Sequence, residues 1–111
     1  MKAIMPKGPS MNEMLKQAQK MQEDMQAKQA ELEEKEYEVS AGGGVVKVKI
    51  NGKREILSMD IAEEIVDPDD IETLSDIIIA AVNEAIKKVT TINDEEMAKI
   101  SGPLGGMGGL F

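Results

Sequence analysis

The stretch Gly42-Gly43-Gly44-Val45-Val46-Lys47-Val48-Lys49-Ile50-Asn51-Gly52-Lys53 decides the architecture. Its centre alternates, with Val46, Val48 and Ile50 on one face and Lys47 and Lys49 on the other. That is the period of a strand with one buried side. The glycine triplet before it and Asn51-Gly52 after it are turn signals, because these residues tolerate positive φ. A two-residue turn at Gly43-Gly44 sets Val39 opposite Val48, Tyr37 opposite Ile50 and Glu38 opposite Lys49. A two-residue type I′ turn at Asn51-Gly52 pairs Ile50 with Lys53, Val48 with Glu55 and Val46 with Leu57. Tyr37–Ser40 and Arg54–Ile61 then flank the central strand in an antiparallel meander, and Leu57, Met59 and Ile61 join the buried face.

Upstream, the pattern is helical over roughly residues 10–36. Ser10 and Glu13 form a capping box. Met11, Ala18, Met25 and Leu32 repeat every seven residues. Met14 and Met21 form the alternating seam, which turns polar at Lys28 and Lys35. Such a helix is about 40 Å long at 1.5 Å per residue, whereas an ordinary strand spans about 17–20 Å. It must overhang the sheet, so its methionine stripe is predicted to meet a second copy of the chain. Downstream, Asp67-Pro68 is predicted to open a second helix. Ile71, Leu74, Ile78, Val82, Ala85 and Val89 follow at helical spacing, so this helix covers the sheet. Thr90-Thr91-Ile92-Asn93 is a predicted interruption before a last piece over about 94–100.

The fold class is therefore α+β: a long helix, a three-stranded meander and a C-terminal helix in a single domain over 10–101. Residues 1–9, with Pro6 and Pro9, read as a flexible arm, and the Gly-rich residues 102–111 as a flexible tail. A chain of 111 residues with one Tyr, one Phe and no Trp builds its core from aliphatic side chains and Met. Its small size makes further burial by association a natural supplement.

The residue types restrict the chemistry. With no Cys and no His, disulfides, thiolate or imidazole metal sites and histidine-assisted nucleophiles are excluded. The glycine triplet lacks the Gly-Lys-Ser/Thr ending of a phosphate loop and precedes a strand, so it reads as a hairpin turn. Asp67, Asp69, Asp70 and Glu72 do not form a calcium loop, since Ile71 stands where a third ligand is needed. They read as helix-start acids. No enzyme, metal or cofactor is expected. The longest apolar run, Ile77 to Val82, is far short of a membrane span, and Met1–Met5 is too short for a signal core. The expected location is cytoplasmic.

The net charge of −8 argues against general affinity for nucleic acid, but its distribution is uneven. Residues 1–22 carry +3, 23–38 carry −5, 39–60 carry +2 and 61–111 carry −8. Lys16 and Lys20, one turn apart, continue the basic end begun by Lys2 and Lys7. Lys47, Lys49 and Arg54 are predicted to share the outer face of the sheet, partly neutralised by Glu36 and Glu38.

Three blocks carry a family resemblance. They are Met11-Asn12-Glu13-Met14-Leu15-Lys16-Gln17-Ala18-Gln19-Lys20-Met21-Gln22, the Gly42–Lys53 block, and Ile77-Ile78-Ile79-Ala80-Ala81-Val82-Asn83-Glu84-Ala85-Ile86-Lys87-Lys88. Their order and spacing, with the Gly-rich tail, resemble the YbaB/EbfC nucleoid-associated proteins over about residues 10–106. The resemblance implies a bacterial homodimer of tweezer shape that binds duplex DNA with low sequence specificity in the nucleoid. It places DNA contacts on Lys16 and Lys20 and, secondarily, on Lys87, Lys88 and Lys99; the basic N-terminal end adds Lys7 to the candidates. The dimer interface expected from the stripe is Met11, Met14, Ala18, Met21, Met25 and Leu32. The alternative is a dimeric adaptor for nucleoid or DNA-repair proteins that does not itself touch DNA.

Overall fold

The computed structural model describes residues 10–101. The expectations for the arm 1–9, including Lys7, and for the tail 102–111 lie outside the described residues. The order is α1 (Met11–Glu34), β1 (Glu36–Ala41), β2 (Val46–Asn51), β3 (Ile56–Ile61), a 3-10 turn over Glu63–Ile65, and α2 (Ile71–Ser101). The three strands form one antiparallel sheet in the order β1-β2-β3.

α1 begins as its sequence dictates. The Ser10 hydroxyl accepts from the Glu13 N–H at 3.2 Å, and the Glu13 carboxylate accepts from the Ser10 N–H at 3.3 Å. This reciprocal pair satisfies two of the helix's orphan donors. The helix ends at Glu34, and Lys35 alone connects it to β1.

β1 and β2 pair with Tyr37 opposite Ile50, Glu38 opposite Lys49 and Val39 opposite Val48, the expected register. The turn is wider than expected. It runs from Gly42 to Val45 between the paired Ala41 and Val46, and Gly42, Gly43 and Gly44 all have positive φ.

The β2–β3 register differs from the expected one. Val46 faces Ile61, Val48 faces Met59, and Ile50 faces Ile56 across a bulge at Lys49/Ile50. The turn is a three-residue loop, Gly52-Lys53-Arg54, closed by the Asn51 N–H donating to the Glu55 carbonyl at 3.0 Å. Arg54 takes the left-handed position, with φ 66°, as in three-residue hairpins that end in a bulge. The Asn51 side-chain oxygen shapes the loop by accepting from the N–H groups of Lys53 and Glu55. Away from the bulge the slip is four residues. An even slip preserves the face, so Met59 and Ile61 still share a side with Val48 and Val46.

Gly52 serves a different purpose from the one expected. It is absent from the positive-φ residues, and a Cβ there would collide with the Leu32 carbonyl and the Glu33 Cα. The turn thus sits against the end of α1, where the Gly52 N–H donates to the Lys35 carbonyl at 2.9 Å.

Asp67-Pro68 forms a turn ahead of α2 and does not open it. The Asp70 N–H donates to the Asp67 carbonyl at 2.9 Å, with Asp and Pro at their preferred first two turn positions. Asp70 caps α2 by accepting from the Thr73 N–H at 3.3 Å. α2 then runs unbroken to Ser101, without the interruption expected at Thr90–Asn93. Thr90 accepts from Arg54 Nε at 2.9 Å, and Asn93 Nδ2 donates to the Gly52 carbonyl at 3.1 Å. Their side chains bind the β2–β3 turn instead of competing for the helix backbone. Ala81, Ala85 and Val89 of α2 pack on Val39, Val46, Val48 and Ile50 to form the core.

Candidate nucleic-acid interface

α1 leaves the sheet as an arm. Burial falls along one heptad stripe: Leu32 is 2% exposed and Met11 73%. Met25 and Met21 are half-buried between them, while every residue from Met11 to Lys20 is exposed. Leu32, expected at a dimer interface, has its side chain inside the protomer. Met11, Met14 and Ala18 are open to solvent.

α2 accompanies the arm for part of its length. Leu32 and Asn93 line one cavity, and Lys28 pairs with Glu96 at 3.4 Å. Position falls along α1 as it rises along α2, so the helices are antiparallel. Both project in one direction, and the first turns of α1 reach past the end of α2.

Lys16 and Lys20 lie on this projecting part. At 3.6 residues per turn, they fall on the side of α1 opposite Met14, Ala18 and Met21. Among the described residues neither enters an ion pair, so their charges are available to a phosphate. Lys99, near the end of α2, is also exposed but donates to Glu96 at 3.1 Å. That bond, with the nearby Lys28, holds the Glu96 carboxyl below its ordinary value. Lys99 is thus partly neutralised.

The remaining cations are not brought to the arm. Lys88 crosses to the free edge of β1, where its Nζ donates to the Glu38 carbonyl at 3.3 Å. Lys87, one residue earlier, is exposed on the side of α2 turned away from the sheet. The sheet's outer face holds Lys47 and Lys49 but not Arg54, which turns towards α2 and Thr90. Lys49 pairs with Glu36 at 3.3 Å, and Lys47 stands opposite Asp60. That face is therefore close to neutral, and the arm offers the better phosphate contact. Among the described residues no acidic cluster is arranged to hold a metal, and no helix is long and apolar enough to cross a membrane.

The sequence matches the YbaB/EbfC DNA-binding family over residues 7–104. It is 51% identical over 104 residues to a nucleoid-associated protein of Ruminiclostridium cellulolyticum, covering 94% of this chain and 90% of that protein. It is 54% identical over 104 residues to the nucleoid-associated protein NT01CX_0824 of Clostridium novyi, with the same coverage. The fold resembles the crystal structure of an uncharacterized protein, HP0035, from Helicobacter pylori. The TM-score is 0.71 at 18% identity, over 84% of this chain and 98% of that one.

Proposed function

The chain belongs to the YbaB/EbfC DNA-binding family, and from that premise we propose that it binds duplex DNA as a homodimer with low sequence specificity, in the nucleoid. The role is one of binding and organisation, with no catalytic step. The observation that carries the contact is the pair of unpaired cations, Lys16 and Lys20, on a helix that projects from an otherwise acidic body. A dimer carries about twice the −8 of one chain. With a Debye length of about 8 Å at physiological salt, basic tips can meet phosphate while the acidic bodies stay beyond reach. Lysine contacts to phosphate carry no base information, which accounts for low specificity. Lys99 and Lys7 are secondary candidates, and Lys87 and Lys88 weaker ones, because they lie off the arm.

Fluorescence anisotropy across a salt series tests this. The log–log slope should be modest, roughly 3–6 for a dimer using both arms, at about 0.9 per phosphate neutralised. Lys16→Glu with Lys20→Glu should weaken binding to all duplex sequences alike and leave the melting temperature unchanged. A double mutant that binds as tightly as the parent removes α1 as the contact. The exposed methionines Met11 and Met14 favour a second reading, a protein adaptor. No binding to random duplex at low salt would select it.

A further inference from the structure

We propose that residues 102–111 of this chain seat on the methionine stripe of α1 and continue, beyond Ser101, the cover that α2 gives it. The seat is separate from the phosphate contact proposed above and gives the bare apolar face of the arm an occupant.

That face is open and uncharged. Met14 is 54% exposed. With Gln17, Ala18 and Met21 it lines a shallow, mostly apolar groove of about 240 Å³. Helical geometry continues the same band through Gln22 and Met25, and no charged side chain stands within it. The band offers nothing to a phosphate and no match to a charged partner.

The point where α2 stops indicates what lies there. Lys28 pairs with Glu96 between the antiparallel helices, so Ser101, five residues further on, is level with about Glu23. Met25 and Met21, near that level, are half-buried, whereas Ala18, Met14 and Met11 beyond it are exposed. The chain therefore leaves α2 beside the place where the stripe becomes bare. It continues as Gly102-Pro103-Leu104-Gly105-Gly106-Met107-Gly108-Gly109-Leu110-Phe111. From the level of Glu23 to Met14 is about 14 Å along the helix. The ten residues beyond Ser101, extended at about 3.1 Å each, span about 31 Å.

The periods agree as well. Leu104, Met107 and Leu110 recur at every third residue, with glycine pairs between them. An extended three-fold backbone sets such a repeat on one side, with its apolar residues about 9 Å apart. On α1, Met21 and Met14 are one heptad, or about 10.5 Å, apart. Leu104 then lies by Met21 and Met107 by Met14, with Leu110 towards the first turn. The glycines that make this segment read as a flexible tail lack the Cβ atoms that would hold its backbone away from the helix. The segment carries no charged side chain, in keeping with the face it covers. Its tether favours it over a second copy, because a short linker sets an effective concentration in the millimolar range. Lys16 and Lys20 stay open on the other side of the helix, so a covered arm still meets phosphate.

The test uses the full chain, which has no natural cysteine. In dilute solution with oxidised glutathione, Ala18→Cys with Met107→Cys should close an intrachain disulfide about tenfold faster than Lys16→Cys with Met107→Cys, since the two helix positions share one tether and differ in face. Equal rates overturn the seat. Disulfides that form between chains instead of within them also overturn it, since the stripe is then covered by a second copy. A second measurement follows Met14 oxidation by hydrogen peroxide with mass spectrometry. Leu104→Ser with Met107→Ser and Leu110→Ser should speed formation of the Met14 sulfoxide about threefold, because oxidation follows exposure. Circular dichroism should be unchanged, as all three positions lie outside the core. An unchanged Met14 rate in the folded variant overturns the proposal.

Discussion

The two ends of α1 share one helix, one heptad stripe and one residue chemistry, yet they differ in what they stabilise. At the C-terminal end, Leu32 is enclosed by the β2–β3 turn and α2. At the N-terminal end, Met11 and Met14 touch little beyond their own helix. A repeat of apolar residues marks a face, and the length of the neighbouring element decides how much of it is covered. β1 to β3 are six residues each and α1 is 24, so the excess becomes an arm whose side chains are free for other contacts.

The largest expected effect breaks this symmetry directly. Leu32→Ala should cost about 2–5 kcal/mol, the range for a buried Leu, while Met11→Ala stays within about 0.5 kcal/mol, as for an exposed site. Urea denaturation of both variants checks it, and equal losses would show that the arm is covered after all. Next comes the anchor of the enclosed end. Gly52→Ala should cost about 1–3 kcal/mol or more, because the added Cβ meets backbone of α1 that cannot rotate away. Gly52→Asn should be at least as damaging. Asn is tolerated in a left-handed turn, so a stable Gly52→Asn protein would mean that φ, and not proximity, selects the glycine.

A smaller effect concerns the same turn. Arg54→Ala keeps the positive φ and loses the bond to Thr90, for about 1 kcal/mol. Arg54→Gly loses the bond but relieves the backbone, so its melting temperature should lie above that of Arg54→Ala. The smallest effect lies where the helices part. The carboxyl of Glu96 is held below its ordinary 4.5 by Lys99 and Lys28. A lowered folded-state value gives stability that is present above the unfolded value and lost as pH falls through the folded one. Glu96→Gln should therefore lower the melting temperature slightly at neutral pH, and the difference should close in acid below 4.5.

Much of this fold was legible locally. The capping box, the β1–β2 register, and Ala85 and Val89 on the sheet side of α2 follow from short-range pattern, whereas Ile71, read on the same stripe, is 53% exposed. The β2–β3 register did not, because Asn51-Gly52 carries the signature of a two-residue turn while Gly52 is required by a helix 20 positions upstream. The continuity of α2 through Thr90 and Asn93 was hidden for the same reason: their partners, Arg54 and Gly52, are remote in sequence. At the candidate site, local charge singled out Lys16 and Lys20. The ties of Lys88 to Glu38 and Lys99 to Glu96 appear only once the chain is folded. The exposure of Leu57 and Ile61 on the inner face of β3 was equally hidden, since alternation assigns a side of the sheet but not whether a helix lies above it.

The single-residue connection at Lys35 has a mechanical consequence. With Leu32 wedged in place and the Gly52 N–H bound to the Lys35 carbonyl, α1 meets the sheet without a hinge. It acts as a lever pivoted at Leu32, and from there to Ser10 it measures about 33 Å. A tilt of about 10° at the pivot sweeps the tip through roughly 6 Å over that length. The same tilt would carry Lys16, about 24 Å from the pivot, through roughly 4 Å, and a force on the tip would be returned to the β2–β3 turn as torque. Stiffening or loosening Gly52 would retune the reach of the arm without altering any residue on it.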